Sequence, residues 1–245
     1  MNMQPVQAVI LLSGGMDSCV CAAQAVHDYG AEAVAALHMS YGQRTEQREK
    51  QSFLAVCERL GIGRRMALRN EVLPAIGGSA LTDSSIAVPE SGEIGPGIPI
   101  TYVPFRNAHF LAAAVSWAEV LGARKIYIGA VEQDSSGYPD CRPAYYQAYN
   151  EVIRTGTKEG AIEVVTPLIQ LRKSEIVRLG LKLGAPLELT WSCYSRHDRA
   201  CGVCDSCVLR LRAFEQAGTA DAIAYEPQPD PQKSLEAEGI HTTGN

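Results

Sequence analysis

Two groups of residues in this chain have the types and spacing that chemistry needs. The first is LLSGGMDSCVC, residues 11–21, in which Gly14 and Gly15 follow an apolar run and open a helix-like stretch from Met16 to His27. A buried strand that ends in glycines at a helix start leaves backbone N–H groups free at the positive end of the helix, which favours phosphate. The turn holds no lysine, so it is not the G-x-x-x-x-G-K-[ST] loop whose lysine reaches the β and γ phosphates. It carries Asp17 instead, which an isolated phosphate would repel. A bridging Mg²⁺ resolves that conflict, with Ser13 and Ser18 as hydroxyl donors or caps. Leu11, Leu12, Ser13, Gly14, Gly15, Met16, Asp17, Ser18, Cys19, Val20 and Cys21 form the candidate nucleotide-binding stretch. The alternative is a capped strand-to-helix turn with no ligand.

The second group is Cys193, Cys201, Cys204 and Cys207, spaced C-x7-C-x2-C-x2-C. Four thiolates suit one tetrahedral zinc ion per chain; an iron–sulfur cluster, a redox pair and unliganded thiols are the alternatives. Gly202 permits a tight turn, VLRLRAF continues as a helix, and His197, the nearby competitor as ligand, is expected to face solvent. Cys19, Cys21 and Cys57 fall in helical patterns where small buried thiols are common. Cys141 stands apart, in the polar loop SSGYPDCRP.

The elements that must position these groups alternate. Apolar β-rich runs at 8–12, 33–39, 125–130 and 163–168 are separated by helix-like stretches, which predicts a doubly wound parallel α/β sheet with ligands at the carboxyl ends of its strands. In 45–60, Phe53, Leu54, Cys57 and Leu60 form one helical stripe that Gly61 ends. Between Asn70 and Pro104 the periodicity fades, and a loop that long reads as a mobile cover. The expected division is an α/β domain over 1–188, a four-cysteine zinc-binding region with its helix over 189–225, and a polar, proline-rich tail over 226–245 expected to lack structure.

With 245 residues, 46% of them hydrophobic, and a net charge of −5, the chain suits small molecules better than duplexes or membrane surfaces. No apolar run reaches the roughly 18–20 residues of a spanning helix. MNMQPVQ lacks a secretory layout, so a cytoplasmic protein without structural disulfides is expected.

The strand, SGGMDS and helix resemble the PP-loop of ATP pyrophosphatases. YGQR at 41–44, YVPFRN at 102–107, SGYPDCRP at 136–143 and TWSCY leading into CGVCDSC follow in that order. Together with the PP-loop they resemble the 7-cyano-7-deazaguanine synthase (QueC) family, from about Val9 to Phe214. The resemblance implies a homodimeric ATP-dependent ligase. A carboxylate on 7-deazaguanine is adenylated, ammonia displaces AMP to give the amide, and the amide oxygen is adenylated in turn and leaves to give the nitrile. Where that family usually has V-P-G-R-N, this chain has Phe105, and its acidic run around Glu132 and Asp134 also departs from the usual wording.

On that resemblance the PP-loop holds ATP and Mg²⁺, with Asp17, Ser18 and Lys173 as the catalytic set; Lys173 is otherwise a surface charge. Arg106 and Asn107 are expected to bind nucleotide or substrate, with a helix cap as the alternative for Asn107. Asp140 would accept from the guanine-like amino edge, Arg142 would grip the carboxylate, and Tyr138 would stack on the base. The alternatives are a surface salt bridge for that pair and simple packing for the tyrosine. Two other functions compete. One is tRNA sulfur transfer with Cys141 as carrier. The other is a zinc-ribbon module that binds nucleic acid through Arg196, Arg199, Arg210 and Arg212, which otherwise form a solvated face.

Overall fold

A computed structural model describes residues 4–89, 97–132 and 137–227. Five parallel strands form one sheet in the order β3-β2-β1-β4-β5: β1 (Ala8–Leu11), β2 (Val34–Ser40), β3 (Arg64–Arg69), β4 (Lys125–Ile128) and β5 (Glu163–Val165). Four of them match the expected apolar runs. β3, RRMALR, was not among those runs because it is an edge strand. Half-open to solvent along most of its length, it has no need of the continuous apolar pattern that burial on both faces imposes.

Side chains alternate across the sheet with period two. Ala8 and Ile10 of β1 enter one core with Val34, Ala36 and Tyr127, whereas Val9 and Leu11 enter the other with Ala35, Leu37 and Ile126. The first core is covered by α1 (Met16–Tyr29), α2 (Glu46–Arg59), α6 (Lys173–Leu183) and α7 (Asp205–Ala217). The second is covered by α4 (Arg106–Leu121) and α5 (Pro143–Gly156). The sheet is thus doubly wound. Phe214 and Ala213 of α7 lie in the same core as α1, so the cysteine-bearing helix is built into the α/β body. In α2, Phe53 and Cys57 are buried as expected, but Leu54 is exposed and Ser52 and Val56 complete the inward face.

β1 pairs with β2 on one side and β4 on the other, so the chain reverses its direction of travel between β1 and β4. A crevice opens there at the carboxyl ends of the strands. The described part of the 70–104 loop contains a short helix, α3 (Val72–Ile76), and is strapped down by Arg44. Its guanidinium donates to the carbonyl oxygens of Ala80 at 2.8 Å, Asp83 at 3.2 Å and Ile86 at 2.5 Å. At the other end of the chain, the Glu226 N–H donates to the Ala200 carbonyl at 2.8 Å. The rest of the polar tail, 228–245, lies outside the described residues, as does Asp134.

Candidate active site

The switch point opens into a cleft of about 290 Å³ that joins the glycine turn, Arg106 and the cysteine region. The turn is shaped by contacts on three sides. Gly14 has φ +95°, and a Cβ there would sit 2.4 Å from the Glu49 carbonyl oxygen, so α2 presses on the backbone where only glycine fits. The Gly14 carbonyl accepts the Trp191 N–H at 2.9 Å. Ser13 Oγ accepts the Gly15 N–H at 3.2 Å and meets Ser18 Oγ at 3.0 Å, while Ser18 Oγ donates to the Gly15 carbonyl at 2.9 Å. Among the described residues no side chain caps α1, so the N–H groups of its first turn stay directed at the cleft, and Gly129 lets the end of β4 approach them. A Cβ at Gly129 would lie 2.8 Å from the Ser18 nitrogen.

Gly14→Ala should therefore destabilise the fold by about 3 kcal/mol, because an alanine must both adopt a left-handed conformation and displace α2. Urea unfolding of the purified variant measures it; a midpoint equal to wild type would mean that α2 does not press on the turn.

Lys173, at the first position of α6, pairs with Asp17 Oδ2, which brings both predicted catalytic residues to the glycine turn with Ser18. Asp17 Oδ1 is buried and has no hydrogen-bond partner among the described residues. An oxygen acceptor of this kind fits a hard, oxygen-liganded cation such as Mg²⁺, and the free N–H donors beside it fit the phosphate such a cation would accompany. Of the predicted stretch 11–21, Leu11, Leu12, Ser13, Gly15, Met16, Asp17 and Ser18 line the cleft. Cys19, Val20 and Cys21 turn into the core, and burial pushes the Cys19 thiol up to about 12.

At the other end Arg106 lies over Tyr41 and Phe110, with ring centroids 5.5 and 5.7 Å from its guanidinium carbon, and donates to Tyr41 Oη at 3.0 Å. Its Nε is buried without a partner among the described residues. Asn107 does not cap α4. It clamps the 138–142 turn, its Nδ2 donating to the Asp140 carbonyl at 3.0 Å and its backbone N–H to Asp140 Oδ2 at 3.1 Å. Tyr138 lines the cleft and hydrogen-bonds Thr101 Oγ1 at 2.9 Å. Asp140 and Arg142 are placed differently: Asp140 is buried behind Asn107, Arg142 is exposed, and neither lines the cleft. Phe105 precedes α4 at φ +56°, a left-handed conformation that glycine adopts freely.

The four cysteine sulfurs converge within 4.8 Å of one another and could hold a metal ion; His197 is exposed and outside the set. Arg210 is not part of a solvated face. It is 2% exposed, with Nε and Nη2 donating to Asp221 at 2.6 and 2.9 Å, Nη1 to Thr190 Oγ1 at 2.7 Å and Nη2 to the Leu187 carbonyl at 3.1 Å. The sequence reading gave no role to Glu49, Gly129, Trp191, Tyr194 or Asp205, all of which the cleft uses. The YGQR and TWSCY runs flagged their neighbourhood, but residue type alone did not.

A lysine-free glycine turn and an aspartate at the switch point of a doubly wound parallel sheet define an α/β nucleotide-binding protein of the PP-loop type. The chain belongs to the queuosine biosynthesis protein QueC family, whose profile matches residues 7–218. It is 71% identical over 223 residues to the 7-cyano-7-deazaguanine synthase of Koribacter versatilis, covering 91% of this chain and 94% of that one. It is 68% identical to that of Acidobacterium capsulatum, covering 89% and 96%. To that of Chlorobaculum parvum it is 55% identical, covering 91% and 98%.

Proposed function

We propose that this chain converts 7-carboxy-7-deazaguanine and ammonia to 7-cyano-7-deazaguanine, with two ATP molecules cleaved to AMP and pyrophosphate, for queuosine biosynthesis. The observation that carries the reading is one cleft with an uncapped helix start and the Lys173–Asp17 pair at one end and the buried, unpartnered Arg106 Nε at the other. A carboxylate and a triphosphate repel each other, and cations at both ends offset that repulsion. The N–H groups of Met16, Asp17 and Ser18 bind the departing pyrophosphate, and Lys173 neutralises it. Asp17 would hold Mg²⁺, which when bound adds charge neutralisation at the phosphates. Arg106, not Arg142, grips the substrate carboxylate with its oxygen toward the α phosphorus. Tyr138 flanks the base. Removing both oxygens of a carboxylate requires each to become a leaving group, and a single site can adenylate first the acid and then the amide.

Zinc is the metal we propose for the cysteines. Thiolates about 2.3 Å from a tetrahedral ion sit roughly 3.8 Å apart, and Cys201 and Cys207 Sγ are 3.9 Å apart. A four-iron cluster spreads its thiolates over separate irons and would set them wider. A reducing cytoplasm is the compartment we propose, because it keeps the four clustered thiols free to bind metal, and a homodimer is the assembly that the family resemblance implies.

Sulfur transfer through Cys141 is disfavoured: burial, reinforced by Asp140, pushes that thiol up to about 11, so little thiolate forms at neutral pH. Cys141→Ser should keep nitrile formation within about threefold of wild type; a loss of 100-fold would show that the thiol takes part in that reaction. Mass spectrometry after incubation with the carboxylate, ammonium and Mg-ATP tests the function itself. Nitrile with two equivalents of AMP is expected, and ADP in place of AMP, or no nitrile at all, would overturn it.

A further inference from the structure

Three carboxylates line the cleft among the described residues: Asp17, Glu49 and Asp205. Their surroundings separate them. Asp17 is committed to Lys173 at the phosphate turn. Glu49 accepts from the Thr45 hydroxyl at 2.8 Å on one oxygen and from the Gln43 amide at 3.0 Å on the other. Asp205 is only 9% exposed, and its Oδ1 is buried with no hydrogen-bond partner among the described residues. A buried carboxylate oxygen without a donor is costly unless a ligand supplies one.

The position of Asp205 is rigid. It stands between Cys204 and Cys207 at the first residue of α7, so the cysteine knuckle fixes its backbone. Tyr194 of the same knuckle packs both with Trp191 and Cys204 and with the Tyr41, Leu81 and Val103 cluster, which carries the knuckle to the Arg106 end of the cleft. Asp140, the carboxylate considered above for the base, also has a buried Oδ1 without a partner among the described residues, but it lies outside the cleft lining with Oδ2 taken by Asn107.

We propose that Asp205 is the residue that reads the base, accepting hydrogen bonds from the ring N–H and exocyclic amino group on the guanine-like edge of the substrate. This rests on the function proposed above and adds the specificity determinant to it. Two carboxylate oxygens match an edge that presents two donors. An adenine-type edge presents a ring-nitrogen acceptor where the carboxylate needs a donor, so the same residue keeps the nucleotide's own base out of the substrate end.

Calorimetry on the full-length, metal-loaded protein tests this without depending on turnover, using 7-carboxy-7-deazaguanine and its analogue without the 2-amino group. Wild type should bind the amino compound roughly 10- to 100-fold more tightly. Asp205→Asn and Asp205→Ser should lose most of that preference while metal content and Mg-ATP affinity stay at wild-type values. Variants that keep the full preference would overturn the assignment. If both variants lose metal, a crystal structure of wild type with the carboxylate decides: the base edge on Asp205 supports the proposal, and the edge on any other group refutes it. Absence of nitrile formation by wild type would refute the function, while this binding comparison would still be readable.

Discussion

Asp17→Ala is expected to lower nitrile formation by about 10³-fold while leaving the KM for Mg-ATP within a few-fold of wild type. In the function proposed above the carboxylate has two tasks at the glycine turn: one oxygen pairs with Lys173 and the other, without a partner among the described residues, is the acceptor offered to the cation. Alanine removes both. It also removes a negative charge from beside the triphosphate, so nucleotide binding through the backbone N–H groups survives, and the loss falls on the step in which pyrophosphate must depart. Lys173→Ala separates the two tasks: it leaves the acceptor oxygen but takes away a positive charge, and should raise the KM for ATP as well as lower kcat. Steady-state kinetics of both variants with saturating carboxylate and ammonium read the difference. An Asp17→Ala enzyme with near-wild-type kcat would remove the residue from the chemistry.

The second large effect is expected from the metal. Chelation, or Cys204→Ser, should abolish turnover and lower Tm by at least about 10 °C, since a structural thiolate site contributes several kcal/mol of folding free energy. Catalysis suffers because the knuckle is coupled to both ends of the cleft. Trp191, two residues before the first cysteine, donates its N–H to the Gly14 carbonyl, its Nε1–H goes to the Arg196 carbonyl at 3.1 Å, and Arg48 stacks over its ring at 4.5 Å. Loosening residues 191–207 therefore releases the phosphate turn and displaces Tyr194 and Asp205 together. Metal analysis with a thermal melt of the treated protein checks this. Full activity after complete metal removal would show that the knuckle is independent of the cleft.

What could be read from the sequence follows from how locally each feature is determined. Strands β1, β2, β4 and β5 carry apolar runs, the glycine turn follows directly from β1, and the four cysteines converge as their spacing suggested. β3 was hidden because an edge strand tolerates arginines. At the substrate end the expected residues divide, Arg106, Asn107 and Tyr138 lining the cleft and Asp140 and Arg142 lying outside its lining. Asp140 and Arg142 sit in a polar loop that resembles a binding motif, yet one is buried behind Asn107 and the other is exposed. Arg106 was offered by the resemblance, whereas Asp205 lines the cleft because of how the knuckle packs, and no spacing rule encodes that. Arg210 shows the same limit: an arginine in a basic run became a buried partner of Asp221 once α7 docked on the core.

In the proposed reaction a substrate oxygen attacks the α phosphorus in the cleft, twice. Turnover of 7-carboxy-7-deazaguanine labelled with ¹⁸O in both carboxylate oxygens tests it most directly. Both labels should appear in AMP, one in each of two molecules per nitrile, with unlabelled pyrophosphate. Label in inorganic phosphate or pyrophosphate, or release of ADP in place of AMP, would contradict it.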